Sequence, residues 1–390
     1  MRPQALTGPR ANAAVIILFV YNGLVLGMYA AVIPILRDKL ALSPVAMATL
    51  FVLTGAAAVG AMQVSGRLSD RFGARRVFLV LFWGLVVAAI GYALVPTYVL
   101  LLVTGVFLGL GNGGCDVAMN ALAVQVERHR LDNGQSAIMS FFHGMWAVGF
   151  LGGSFGVAMV GTLARLGPNL TLLVCAFTVA GIGVAGWIAV AAISPDTTPA
   201  PHATGEPKPP IPRAAYLMGI MAVAFGLGEG TATDWSGTHV RTVAGVDPTT
   251  AAWAVTAMTA CMVLVRLLGD RLIGVAGRLN IVRLGSAVAA IGYLTTAFVT
   301  PFPALLVGWA LVGLGMGVIA PQVYASAGHL AGGRGLAVVA TFGYATYLAG
   351  PAAIGTLAHA VGLHRAMALP GVLLIILIFL AGIALRERAR

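Results

Sequence analysis

Gly66-Arg67-Leu68-Ser69-Asp70-Arg71-Phe72-Gly73-Ala74-Arg75-Arg76 packs five charged residues into eleven positions of a chain that is only 9% charged overall. Uninterrupted apolar runs flank it, at about 44–66 and 77–95. A bilayer core of roughly 30 Å is crossed by about 20 helical residues. The segment therefore reads as a short charged loop joining two membrane spans.

The same reading extends in both directions. The chain has 390 residues, 59% of them hydrophobic, a proportion that leaves too few polar groups to clothe a water-soluble surface. Apolar runs fall at about 14–36, 44–66, 77–95, 97–126, 135–163 and 168–193, then at 214–240, 249–269, 281–300, 302–327, 335–360 and 366–385. These runs predict an all-α polytopic membrane protein of twelve transmembrane helices. Between the sixth and seventh lies Ser194–Arg213, which holds seven prolines and can form neither a strand nor a span. The expected organisation is a six-helix bundle over 1–193, a Pro-rich cytoplasmic linker over 194–213, and a second six-helix bundle over 214–390.

The net charge of +11 would suggest nucleic acid in a soluble protein. Here the arginines gather in loops and at the ends of apolar runs, which is a topological pattern, and no nucleic-acid partner is expected. With both termini in the cytoplasm, only Arg37, Lys39, Arg165, Arg241 and Arg365 of the 23 basic residues fall on the outer side. Shifting the assignment by one span reverses that bias, so the even span count and the orientation support each other. Two lysines against many arginines suggest a high-GC bacterial genome, and hence a bacterial cytoplasmic membrane. The basic N-terminus and the long run after it read as a retained first span.

The halves repeat. Leu68-Ser69-Asp70-Arg71 after the second span is matched by Leu268-Gly269-Asp270-Arg271 after the eighth, and Gly109-Leu110-Gly111 recurs as Gly313-Leu314-Gly315. Parallel repeats suggest two bundles that rock about a central site to give alternating access. Cys115, Cys175 and Cys261 sit singly in apolar runs, so neither disulfide nor metal site is indicated. No phosphate-cradling GxxxxGKS loop occurs, and no metalloprotease HExxH pattern, so no cofactor, ATP-driven transport or membrane-embedded enzyme is expected. The short tails argue against a signalling sensor.

The Gly66–Arg76 segment resembles the signature loop of the major facilitator superfamily, between spans two and three where that family carries it. Gly111–Asn120, Glu229–Trp235 and Gly343–Pro351 resemble a bacterial branch related to fucose permease. The resemblance implies a monomeric secondary transporter with a cytoplasmic latch formed by Gly66, Asp70, Arg71 and Arg75, and by Asp270 and Arg271 in the second half. The second half departs from the pattern in placing Arg266 where the first has Gly66. The resemblance also implies a proton-coupling role for Asp116, which precedes Asn120 by four residues as an acid precedes Asn in fucose permease.

Ionisable groups within spans cost at least ~2.5 kcal/mol each on insertion scales, which makes Asp116, His143, Glu229 and Asp234 functional candidates. Asn112, Asp116 and Asn120 recur every four residues and share one helix face. Asp116, His143 and Glu229 are the proton-coupling candidates. Asp116 and His143 lie at similar depth, where they could exchange a proton or simply tie two helices together. Asn22, Asn112, Asn120, Trp146, Gln322, Tyr344 and Tyr347 are the cavity candidates, a mixture suited to a small polar or amphipathic solute. Tyr21 and Tyr29 read as packing residues, and Asp234 with Trp235 as a gate or an interfacial anchor. The span-five segment Gly149–Ser154 lacks the proline of the Gly-Pro-rich motif that many antiporters of the family carry, whereas Gly350-Pro351 on span eleven keeps efflux open beside uptake.

Overall fold

Every regular element among the described residues is an α-helix. The computed structural model describes residues 9–135, 138–163, 165–191 and 211–385, so the proline-rich segment lies almost wholly outside the described residues. The first six helices are α1 (Pro9–Lys39), α2 (Pro44–Phe72), α3 (Ala74–Leu94), α4 (Tyr98–Asp132), α5 (Met139–Thr162) and α6 (Pro168–Ala191). There follow α7 (Arg213–Ala244), the one-turn α8 (Pro248–Ala251), α9 (Trp253–Ala276), α10 (Arg278–Phe298), α11 (Phe302–Val361), α12 (Leu363–Ala366) and α13 (Ala368–Ala384). Several helices outrun the apolar run that predicted them: α2 continues to Phe72 and α4 to Asp132, because helical hydrogen bonding persists past the hydrocarbon boundary.

Eleven stretches among the described residues are long and apolar enough to cross a bilayer. The remaining predicted span lies in α11, a 60-residue element. A straight helix of that length would measure about 90 Å, three times the hydrocarbon thickness. It is not straight. A Cβ placed on Gly335 would collide with the carbonyl oxygen of Ala327, whereas residues eight apart in a straight helix are separated by ~12 Å. The chain folds back there, giving a first arm that begins at Phe302 and a second that ends at Val361. This is the all-α, twelve-span architecture that hydropathy predicts. Large exposed apolar side chains such as Val80 (71%), Phe298 (70%) and Phe379 (68%) mark faces that need lipid as solvent.

Two compact units form, Met1–Leu40 with Leu53–Gly205, and Ala41–Val52 with Glu206–Arg390. Each is assembled by the same small-residue device. In the first unit a Cβ on Gly109 or Gly113 of α4 would strike the backbone oxygens of Thr54 and Ala58 on α2, and one on Gly111 would strike α3 at Gly84–Leu85. In the second, Gly313 of α11 lies equally close to the carbonyl of Met258 on α9, Gly317 to Val265, and Gly315 to Gly285 of α10. Three glycines at alternate positions thus let one helix pack into the groove between two others. The turn entering α3 needs Gly73 at φ +86, and the turn entering α10 needs Gly277 at φ +75, values that L-residues avoid. The repeat visible in sequence is therefore a repeat of backbone geometry.

In the first unit α1 and α5 also meet at glycines. Cβ atoms on Gly23 and Gly27 would collide with the carbonyls of Trp146 and Phe150, and those on Gly149 and Gly153 with the carbonyls of Val20 and Leu24. The reciprocal pairs, each spaced by four, bring the two backbones into direct contact. In the second unit the polar turn before α8 is held by Asp247, whose Oδ1 accepts from the amides of Thr249 and Thr250 at 2.9 Å each. Partial burial pushes the Asp247 pKa up, but the hydrogen bonds from Thr249 and Thr250 outweigh it and hold the carboxyl below its ordinary value.

The close approach of α1 and α5 has a testable consequence. Gly153→Val is expected to destabilise the protein by ~1–3 kcal/mol, the usual cost of overpacking. Gly156→Val, where a side chain meets nothing within 4 Å, is expected to leave the melting temperature in detergent unchanged. Equal melting of the two variants would show that the contact is not tight.

Candidate functional site

The α1–α5 clasp fixes what lies beside it. Trp146 of α5 donates its indole Nε1–H to Asn22 Oδ1 on α1 at 2.8 Å, and Asn22 Nδ2 donates to Asn112 Oδ1 on α4 at 3.0 Å. Asn22 is only 1% exposed, so its amide serves as acceptor on one side and donor on the other within a closed three-helix chain. One turn further along α4, Asp116 Oδ1 accepts from Asn120 Nδ2 at 3.2 Å, and the same Nδ2 donates to the Asp116 backbone carbonyl at 2.8 Å. The four-residue stripe of α4 therefore presents an amide, a carboxylate and an amide in succession. The described contacts place Asn120 on the Asp116 carboxylate. The ring of His143 meets Phe19 edge-on, with centroids 5.2 Å apart.

In the second unit Glu229, near the middle of α7, forms an ion pair with Arg266 of α9, Oε1 to Nη2 at 3.1 Å. Neither partner is sealed: the Arg266 and Glu229 side chains are 25% and 31% exposed. Just before Glu229, the Gly228 carbonyl accepts from the hydroxyl of Tyr293, which ties α10 to that turn of α7. Further along, Asp234 lines a cavity of about 10 Å³ between α7 and the second arm of α11, with Gly226, Gly230, Thr231, Gly350 and Pro351. That is about the least volume that admits a water. Trp235 is 1% exposed, lies edge-on to Phe51 at 5.4 Å, and leaves its Nε1 without a partner. Gln322 Oε1 accepts from Arg278 Nε at 3.1 Å. The side chains of Tyr344 and Tyr347 lie outside the described residues.

The loop residues have separate partners. Arg75 donates through Nε to the carbonyl of Val190 at 3.2 Å and through Nη2 to that of Ala191, so it caps the C-terminus of α6. The Arg71 guanidinium lies over the Phe72 ring, 5.1 Å from its centroid. A Cβ on Gly66 would meet nothing within 4 Å among the described residues. Arg271 is exposed, and the side chains of Asp70 and Asp270 lie outside the described residues.

Arg266 is the residue that sequence reasoning passed over. It stood out as a departure from the first-half motif, yet it also lies inside the span Pro248–Gly269, where a charge needs a partner. That location was the available signal. Tyr293 gave none, since a tyrosine in an apolar run is ordinarily a packing residue.

Spanning helices in two repeated units, with polar chains inside them, define a multi-pass membrane transporter. The chain belongs to the Major Facilitator Superfamily, whose profile matches residues 15–247. It is 31% identical over 350 residues to the uncharacterized transporter y4wD of Sinorhizobium fredii, covering 88% of this chain and 89% of that one. It is 30% identical over 363 residues to the membrane protein MosC of Rhizobium meliloti, covering 91% of this chain and 85% of that one. In fold it resembles a mutant of the nucleoside transporter NupG, with a TM-score of 0.73 at 11% identity, covering 96% of this chain and 100% of that one. The human organic anion transporter MFSD10 aligns with a TM-score of 0.64 at 15% identity, covering 96% and 100%.

The ion pair carries its own prediction. Arg266→Gln strands the Glu229 charge and is expected to lower stability by about 1 kcal/mol, a modest figure because both groups are partly open. The double variant with Glu229→Gln is expected to recover most of that loss in thermal melts. Additive losses would show that the two side chains do not interact.

Proposed function

We propose that the protein is a proton-coupled secondary transporter that moves a small polar or amphipathic solute by alternating access. In this reading the halves 1–193 and 214–390 rock as a monomer, joined by the linker 194–213, in the cytoplasmic membrane of a bacterium. Both termini face the cytoplasm, as the arginine distribution favours. The observation that carries the reading is Asp116: a carboxylate inside a span, bonded by one neutral amide and by no cation among the described contacts. Such a group can take and release a proton within a cycle, whereas a carboxylate locked to an arginine cannot do so until the pair opens. Glu229 supplies a second, paired carboxylate in the other half. The Trp146–Asn22–Asn112 chain supports a polar solute site beside Asp116, since it lines up directional groups across three helices. Asp70, Arg71, Arg75, Asp270 and Arg271 remain in this proposal as anchors at the loop ends, with Arg75 acting through its hold on α6.

The driving force is sufficient. One charge moved through 100 mV yields about 2.3 kcal/mol, enough for roughly fifty-fold accumulation of a solute. Gly350-Pro351, set against the Asp234 cavity at an α11 proline, supports the second reading, proton-antiport efflux, which uses the same carboxylates in the opposite sense.

The test is reconstitution in liposomes holding a pH dye, with sugars, amino acids and amphipathic drugs applied in turn. Wild type is expected to show solute-driven proton movement, and Asp116→Asn to lose about tenfold or more of it, equivalent to ~1.4 kcal/mol of coupling. The direction of proton flow relative to the solute separates uptake from efflux. Coupled flux surviving intact in Asp116→Asn would make that carboxylate structural.

A further inference from the structure

The Arg266 guanidinium is only half used. Its Nη2 meets Glu229, while Nε, on the same bidentate edge of the fork, is buried and has no hydrogen-bond partner. A guanidinium edge of this kind matches the two oxygens of a planar carboxylate, and a single oxygen of Glu229 satisfies one half of it. The arrangement is held in place on one side and open on the other: Tyr293 fixes the Gly228 carbonyl next to Glu229, and Met316 packs on Gly228. A Cβ on Gly230 would meet nothing within 4 Å. Both side chains keep a quarter to a third of their surface open, while Nε itself is covered. Two other basic side chains of this unit are occupied, Arg278 by Gln322 and Arg283 by the carbonyl of Ile378.

We propose that Arg266 is the recognition residue for a small organic monocarboxylate, and that the solute competes with Glu229 for it. This rests on the transporter reading above and names its substrate class. The carboxylate takes both donors, Nε and Nη2, and Glu229 leaves. Having lost its cation inside the membrane, Glu229 accepts a proton, because an unpaired carboxylate there is strongly disfavoured. One anion and one proton then cross together, with no net charge moved. On release the proton departs and Glu229 returns to Arg266. A monoanion fits because one guanidinium offers one positive charge.

The experiment uses the full chain in liposomes, with lactate, pyruvate and benzoate as probes against lactamide, pyruvamide and benzamide, at clamped membrane potential with a lumenal pH dye. Melting temperature and gel filtration check that each variant folds. In wild type the carboxylates are expected to move with protons and independently of potential, while the amides do not move. Arg266→Lys, which keeps the charge but loses the fork, is expected to raise the half-saturating carboxylate concentration about tenfold or more. Glu229→Gln is expected to lower it several-fold by removing the competitor, and to abolish the accompanying proton flux, a pair of changes that a merely structural role would not produce. Amide transport with no carboxylate transport would overturn the carboxylate assignment and leave the transporter reading standing. Carboxylate transport unchanged in Arg266→Lys and Glu229→Gln would also overturn it. Movement of neither class in wild type would overturn it too, while movement of other solutes in the broader screen would keep the transporter reading apart from that failure.

Discussion

Within the hydrocarbon layer no water is available to satisfy a polar group, so each one must find its partner in the protein. The rest of the structure follows from that constraint. Backbone amides are satisfied by helices that continue past the apolar runs. Helix-to-helix adhesion cannot come from hydrophobic burial when the surroundings are equally apolar, so it comes from close backbone contact at glycines. The paired clasps of α1 with α5, and the glycine triplets of α4 and α11, are the local expression of this rule. They also determine which polar side chains meet.

The same constraint separates two kinds of intramembrane charge. Glu229 and Arg266 neutralise each other and leave a neutral pair with one unused donor. Among the described contacts Asp116 is held by an amide, and in a low-dielectric setting an amide is thin support for a negative charge. The first arrangement opens when something competes for the guanidinium, and the second is suited to a group whose charge comes and goes. Gly230 and the cavity at Asp234 leave open space along α7 beside Glu229. In the first unit four glycines bring α1 and α5 to backbone contact.

Much of the fold was legible in the sequence because hydropathy and span length are properties of each segment alone. The long α11 shows the limit: its two spans were read correctly as separate runs, although the chain stays helical through the reversal at Ala327–Gly335. Candidate residues were legible one at a time, since Asn22, Asn112, Trp146, Asp116 and Glu229 are polar groups in apolar runs. Their pairing was not. Nothing in a single sequence says that Trp146 reaches Asn22, or that Asn120 of its own helix bonds Asp116. Arg266 was missed for a different reason. Aligning the two halves marked it as a departure from glycine, when its place inside the span already called for a partner.

The central claim is that carboxylates inside the spans exchange protons as the solute binds. Purified protein in weakly buffered detergent, titrated with a transported solute while a pH indicator is followed, tests it without gradients or membranes. The account predicts uptake of protons on solute binding in the wild type, reduced in Glu229→Gln and in Asp116→Asn. Saturable solute binding with no proton exchanged at any pH would contradict it.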